Sequence, residues 1–231
     1  MSAEHPIPEA APTATPTGAM IRTLGLVSAI CGLIIVGTYQ GTFDAVAVNK
    51  QIALERSVFK VMPKAAAITE YVMTTDGRVE KLTGEAPAKA QRFFAAYDAN
   101  GAFVGIAAEG AAKGYADTVR IMFGYDPASQ HITGIGVVAM RETPGIGDKI
   151  ITDPAFLANF EALDARLNGD LSALANEIRT VKHGTKSQSW QIDAISGATI
   201  TSRAVGKAIN DAAQTLLPRL VPHMKSLEKS S

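Results

Sequence analysis

The residue types most suggestive of chemistry lie between positions 193 and 202. Ser196 and Thr199 flank Gly197 and Ala198, and apolar residues then recur at three- and four-residue spacing, as on one face of a helix. The hydroxyl groups therefore fall at a predicted helix start, where unpaired backbone N–H groups and the positive end of the dipole favour a phosphate. Gly197 and Ala198 would let a bulky group approach the backbone. The alternative is a cluster that only caps the helix.

A second glycine-containing segment, Arg141 to Lys149, directly follows a predicted strand, so we expect a loop at one end of the sheet. Pro-Gly at 144–145 is typical of a turn, and Gly147 permits a further reversal of the chain. Loops at sheet ends often carry binding residues. An ordinary solvated surface turn is the alternative interpretation, because Pro and Gly commonly mark turns.

The elements that must position these loops form a meander of strands with a few helices. Runs with alternating or β-branched residues between turn signals predict strands at 79–82, 91–98, 102–109, 118–125 and 131–140. Asn100-Gly101 predicts a tight hairpin turn. Helices are predicted at 154–160, at 171–178 and from about residue 200 onwards. This order indicates the α+β class, with an antiparallel sheet and packed helices.

The N-terminal part of the chain predicts one transmembrane helix. No charged side chain occurs from Thr23 to Phe43, about 21 residues or ~30 Å as a helix, which is enough to cross a bilayer. A cleaved signal peptide is the alternative. Arg22 before the run and Asp44 after it favour a cytoplasmic N-terminus and a main domain on the outer side.

The predicted organisation has five parts. They are a disordered cytoplasmic tail over 1–20, a transmembrane helix over 21–43, a connecting helix over 44–68, a globular domain over 69–218 and a C-terminal tail over 219–231.

Composition excludes several classes of function. The chain has 231 residues and a formal net charge of zero, so its charge balance does not indicate a nucleic-acid-binding protein. Cys31 is the single cysteine, which excludes an internal disulfide and a self-contained cysteine-ligated metal site. The four histidines show no metal-binding spacing and no catalytic triad pattern, so we expect no metal site and no catalytic residue.

Two signatures resemble those of FMN-binding domains. Asp-x-x-Ser-Gly-Ala-Thr at 193–199 resembles their flavin-transferase acceptor sequence, whose last threonine carries FMN through a phosphoester bond. Glu-Thr-Pro-Gly-Ile-Gly at 142–147 is similar to their Glu-Thr-Pro-Gly-Leu-Gly signature, and the Gly-Tyr pair at 114–115 resembles a third element. The resemblance implies covalent FMN on Thr199, rather than on the neighbouring hydroxyls of Thr201 and Ser202. The residues it assigns to the FMN site are Tyr115, Glu142, Thr143, Gly145, Ile146, Gly147, Lys149, Ser196, Gly197, Ala198 and Thr199.

The order of the signatures, the anchor and the chain length together resemble the G subunit of the Rnf ion-translocating electron-transport complex. The resemblance implies that 69–218 is an FMN-binding domain on the periplasmic side of the bacterial inner membrane, relaying single electrons between neighbouring redox centres. The implied partners are integral membrane subunits, an iron–sulfur subunit and a flavin transferase for maturation. Ferredoxin and NAD would act at the complex and not at this chain.

Three alternatives stay open at this point. The C subunit of the sodium-pumping NADH:quinone reductase shares both signatures and the anchor, but is usually longer. A membrane-anchored structural subunit without a cofactor would keep the fold and lose the redox role. A substrate-binding or sensor domain would use flavin, or another phosphate ligand, outside a redox complex.

Overall fold

The computed structural model describes residues 17–84, 87 and 90–228. Residues 1–16 of the tail predicted over 1–20 therefore lie outside the described residues. The chain forms two compact units, 1–50 and 51–231. The described part of the first unit belongs to helix α1 (Thr17–Val61), and its side chains are exposed from residue 17 to residue 50. Within the described ranges, α1 is the one helix that is long and apolar enough to cross a membrane.

A seven-stranded antiparallel sheet dominates the second unit. Its strands are β1 (Ala67–Met73), β2 (Val79–Lys81), β3 (Gln91–Tyr97), β4 (Phe103–Lys113), β5 (Thr118–Asp126), β6 (His131–Ala139) and β7 (Leu163–Asp164). Their spatial order is β2-β1-β3-β4-β5-β6-β7. A separate parallel pair consists of β8 (Arg179–Val181) and β9 (Gln191–Asp193). The predicted α+β class with an antiparallel sheet is confirmed.

Helix α4 (Thr199–Leu220) covers one face of this sheet, where it packs on β4 and β5. Its buried side chains recur at helical spacing and include Val205, Ile209 and Leu216. Gly110 in β4 allows the close approach, because a Cβ there would overlap the carbonyl group of Ala208. The remaining helices are α2 (Lys149–Thr152), α3 (Pro154–Leu157) and α5 (Met224–Leu227).

The last turns of α1 cover the opposite face of the sheet. Val58, Val61 and Met62 are buried there in a second apolar cluster with strand residues such as Phe94 and Met122. Helices on both faces explain why β3 is apolar along nearly its whole length, with every side chain from residue 93 to residue 97 buried.

Some predicted elements differ from the observed ones. The helix predicted at 171–178 is wrong: the segment is irregular, Leu171 has a φ of 58° and Leu174 forms an isolated bridge with Leu167. Strands β1, β7 and β8 were not predicted. Residues 219–228, assigned from the sequence to a C-terminal tail, complete α4 and form α5, and Leu227 is buried in the main core.

Candidate functional site

A pocket of about 430 Å³ lies where three chain segments meet. Its volume is within the range of about 300–1,000 Å³ that is typical of small-molecule sites. The segments are the β4–β5 turn, the loop after β6 and the first turn of α4. The lining residues are Tyr115, Glu142, Thr143, Ile146, Gly147, Gly197, Ala198, Thr199, Ile200 and Thr201. Eight of these ten residues are ones that the sequence assigned to the site.

Thr199 is the first residue of α4, within one residue of the predicted helix start. The N-cap is Ala198, and no side chain caps the helix, so the interpretation of the hydroxyl groups as a simple capping cluster is wrong. The first turn of α4 contains no acidic residue of its own, and the carboxylate that meets it comes from Glu142 in the loop after β6. Gly197 has a φ of 82°, a conformation that favours glycine and that turns the chain into the helix. The helix start therefore turns its first backbone N–H groups, which favour an anion, towards the pocket.

The three hydroxyl groups at the start of α4 have different surroundings. The Ser202 hydroxyl is buried, accepts a hydrogen bond from the Ile195 backbone N–H and donates one to the Ala198 carbonyl oxygen. Thr201 is buried and donates to the Glu142 carboxylate over 2.8 Å. The half-buried Thr199 side chain lines the pocket and makes no hydrogen bond within the described ranges. Of these three hydroxyl groups, that of Thr199 is the one available to a ligand.

The loop after β6 forms a second wall of the pocket. The backbone N–H of Gly147 donates to the Thr143 carbonyl oxygen over 2.9 Å, which closes the predicted turn. Half of the Ile146 side chain is exposed, so it offers an apolar surface at the pocket rim. Gly145 has a φ of 77° and shapes the turn without lining the pocket.

Ser196 and Lys149, which the resemblance also assigned to the FMN site, line a different pocket from Thr199. Both line a neighbouring pocket, together with His183 and Asp193, on the other side of the turn that leads into α4. Neither lines the pocket that contains Thr199. A role for these two side chains at the cofactor stays a prediction.

Sequence reasoning missed the network that holds the approach to this turn. The side-chain oxygen of Asn159 accepts hydrogen bonds from the Asp193 backbone N–H over 3.0 Å and from the Lys186 amine over 2.9 Å. Asp193 in turn accepts from the Gly184 backbone N–H over 2.7 Å. Asn159 is 34 positions from Asp193, and no local pattern marks such a partner. Asp193, the first residue of the acceptor signature, therefore has a structural role beneath the turn.

The surroundings of the site show no metal-binding geometry. Across the parts of the chain that the structure describes, no three or more His, Cys, Asp and Glu side chains are grouped closely enough to hold a metal ion. What the pocket can offer a ligand is an apolar rim, a helix start and one available hydroxyl.

Comparison with known proteins identifies the class. Residues 114–214 match the FMN-binding domain family, and this stretch includes the whole pocket lining. The chain therefore carries an FMN-binding domain. Over 159 residues it is 35% identical to the G subunit of the Na(+)-translocating ferredoxin:NAD(+) oxidoreductase complex of Acetobacterium woodii, covering 67% of this chain and 70% of that protein. The chain belongs to the family of G subunits of ion-translocating (Rnf) oxidoreductase complexes.

One further relative has the same subunit name, and one solved structure shares the fold. The G subunit of the ion-translocating oxidoreductase complex of Methanosarcina acetivorans is 27% identical over 196 residues, covering 84% of this chain and 90% of that protein. The crystal structure of Shewanella oneidensis NqrC superimposes with a TM-score of 0.59 at 22% identity, over 79% of this chain and all of that one. The second comparison supports the fold alone.

Proposed function

We propose that this protein is the membrane-anchored G subunit of an ion-translocating ferredoxin:NAD oxidoreductase and that it relays electrons through FMN attached to Thr199. The observation that carries the proposal is the position of the Thr199 hydroxyl. Thr199 is the first residue of a long helix and lines the pocket, and its hydroxyl makes no hydrogen bond in the described parts of the chain. The nearby hydroxyl groups of Thr201 and Ser202 are both hydrogen-bonded within the protein.

The residues present fit a flavin mononucleotide. The phosphate would lie at the start of α4, where the helix dipole and free N–H groups favour an anion. Tyr115, Ile146 and Ile200 line the same pocket and are each at least half exposed. Contact with the flat flavin ring would remove these large apolar surfaces from water, which is favourable by about 25 cal/mol per Å².

The chain itself supplies attachment and position, and FMN, when bound, supplies the capacity to take up and release electrons. Attachment would join the Thr199 hydroxyl oxygen to the phosphorus atom on the riboflavin side of the donor. We infer that a flavin dinucleotide is the donor, because breaking its pyrophosphate bond releases a nucleoside monophosphate as the leaving group. The hydroxyl proton passes to a base of the transferase, which acts from outside the chain.

The membrane and partner roles follow from the relatives and from α1. The relatives are named as subunits of ion-translocating complexes, and α1 is long and apolar enough to anchor this chain in a bilayer. We place the FMN domain on the periplasmic side of the inner membrane, in agreement with Arg22 before the apolar run. The proposed partners are integral membrane subunits and an iron–sulfur subunit, with ferredoxin and NAD reacting elsewhere in the complex.

The proposal is tested by producing the full chain together with a flavin transferase. We expect a fluorescent flavin band that survives denaturing electrophoresis, and we expect Thr199→Val to abolish it. Thr215→Val is the matched control, because Thr215 is an exposed residue of the same helix far from the pocket. Covalent flavin that persists in Thr199→Val would refute the site, and a colourless wild-type protein would favour a structural subunit without a cofactor.

A further inference from the structure

Glu142 occupies the junction of the three segments that form the pocket. One carboxylate oxygen accepts hydrogen bonds from the backbone N–H groups of Ala116, over 3.2 Å, and Asp117, over 3.5 Å, in the β4–β5 turn. The other oxygen accepts from the Thr201 hydroxyl, over 2.8 Å, in the first turn of α4. Glu142 itself lies in the loop after β6, three positions beyond the end of that strand. One side chain therefore connects all three walls.

Two glycines make room for this carboxylate. A Cβ on Gly114 would overlap the Glu142 carboxylate oxygen that faces the β4–β5 turn. A Cβ on Gly147 would lie 2.7 Å from the Glu142 Cβ and 3.0 Å from its other carboxylate oxygen. Both glycines are buried, and neither has a positive φ. Their small size, and not backbone freedom, is what the site uses.

The acceptor capacity of Glu142 is largely engaged within the protein. An ionised carboxylate is an acceptor only, and this one already receives two backbone N–H groups and one hydroxyl. It also lies at the positive end of α4, because its partner Thr201 is the third residue of that helix. The sequence assigned Glu142 to direct cofactor contact, whereas its hydrogen bonds in the structure go to the walls of the pocket.

We propose that Glu142 is a positioning residue that fixes Tyr115 relative to Thr199 by holding the β4–β5 turn against the start of α4 through Thr201. This inference rests on the proposed attachment of FMN to Thr199. The hydrogen bonds of Glu142 then set the distance between the β4–β5 turn, which would contact the flavin ring, and the start of α4, which would carry the phosphate. Small errors in such geometry are costly, since a displacement of about 1 Å can slow a reaction by ~100-fold.

Three substitutions separate positioning from contact with the flavin. Glu142→Ala removes the whole bridge, and we expect flavin transfer to Thr199 to be about 10- to 100-fold slower, with a changed visible circular dichroism of the bound ring. Glu142→Gln should keep most of the wild-type rate of flavin transfer, because the glutamine side-chain oxygen accepts from the β4–β5 turn and its amide group donates to Thr201. Thr201→Val has an intermediate effect, and combining it with Glu142→Ala slows transfer no further than Glu142→Ala alone.

A second glutamate provides the matched control for these substitutions. Glu161→Ala removes an exposed glutamate whose side chain makes no hydrogen bond or ion pair in the described parts of the chain, and it should leave transfer and ring dichroism unchanged. If Glu142→Gln is as slow as Glu142→Ala while Thr201→Val is silent, the charge or flavin contact of Glu142 matters and the positioning role is wrong.

A measurement without flavin keeps this inference separate from the proposed function. In the full chain lacking flavin, Glu142→Ala should accelerate hydrogen exchange at the Ala116 and Asp117 amides, whereas Glu161→Ala should not. Unchanged exchange would overturn the bridge even if flavin is attached normally. A wild-type chain that shows protected amides but accepts no flavin would instead overturn the proposed function.

Discussion

The hydroxyl of Ser202 accepts a hydrogen bond from the backbone N–H of Ile195 over 3.1 Å. The same hydroxyl donates to the Ala198 carbonyl oxygen over 2.9 Å, so one side chain spans the turn that precedes α4. This arrangement fixes the turn and engages the hydroxyl both as a donor and as an acceptor. It explains in physical terms why Ser202, although only three positions from Thr199, is a structural residue and not a second acceptor.

Replacing Ser202 tests its structural role. Ser202→Ala leaves the buried Ile195 N–H without its side-chain partner, and we expect the free energy of unfolding to fall by ~1–3 kcal/mol. Urea denaturation of the full chain in detergent measures it. Thr215→Val removes an exposed hydroxyl that donates to a carbonyl of the same helix and should cost well under 1 kcal/mol. Equal losses in the two variants would contradict the structural role of Ser202.

Gly197 offers a test of backbone geometry without steric overlap. A Cβ at Gly197 would have no atom within 4 Å, so only its φ of 82° opposes substitution. We expect Gly197→Ala to destabilise the protein by ~1–2 kcal/mol and to slow flavin attachment to Thr199. Gly197→Asn should recover part of both losses, since asparagine tolerates this conformation better. Thermal unfolding and in-gel flavin fluorescence provide the two readouts, and an alanine variant as stable as wild type would contradict the account.

The packing of α4 on the sheet is tested at Gly110. Gly110→Ala places a methyl group against the Ala208 carbonyl, so we expect a loss of ~1–3 kcal/mol in unfolding free energy. The matched control is Gly169→Ala, where a Cβ meets no atom within 4 Å and φ is not positive. The control should change stability by less than ~0.5 kcal/mol. Similar values for both variants would show that α4 does not approach β4 this closely.

Asp164 makes the stability of the folded protein depend on pH in the acid range. The Arg166 guanidinium donates hydrogen bonds to Asp164 and holds the pKa of that carboxyl below its usual value, with a further contribution from the Ser189 hydroxyl. Because the folded pKa is the lower one, the stabilisation is complete above the unfolded pKa of about 4 and is lost as pH falls through the folded value.

Asp164→Asn removes this titration. We expect it to be less stable than wild type at pH 7, with the difference shrinking as pH falls below about 4. The free energy of unfolding is measured for wild type and Asp164→Asn between pH 3 and pH 7. Glu161→Gln, measured in the same way, shows how much removal of an exposed carboxyl group changes the pH dependence by itself. A difference from wild type that stays constant across this range would show that Asp164 is not held at a lowered pKa.

The sequence predicted those parts of the fold whose signals are local. Strands β5 and β6 lie where turn signals bound apolar runs, Asn100-Gly101 marks the observed hairpin, and the spacing of apolar residues located α4 to within one residue of its start. The missed strands β7 and β8 have two and three residues and depend on distant partners. Patterns that short carry too little periodicity to detect.

The incorrect helix at 171–178 shows how tertiary contacts override local preference. Its composition favours a helix, but the Leu174 N–H donates to the Gln214 side chain and the Ile178 N–H to that of Asn210, both on α4. Backbone donors satisfied across the fold no longer need a helical partner. That Ser196 and Lys149 line a different pocket from Thr199 could not be predicted for a related reason: the direction of a side chain beside a turn depends on the three-dimensional path of the chain.

Covalent attachment of FMN to Thr199 can be measured by intact mass and fragment mapping of the protein purified from its native membrane. We expect a mass increase equal to FMN less one water, on the fragment that contains Thr199 and assigned to that side chain. An unmodified Thr199 fragment in native material, or a flavin mapped to Thr201 or Ser202, would contradict it.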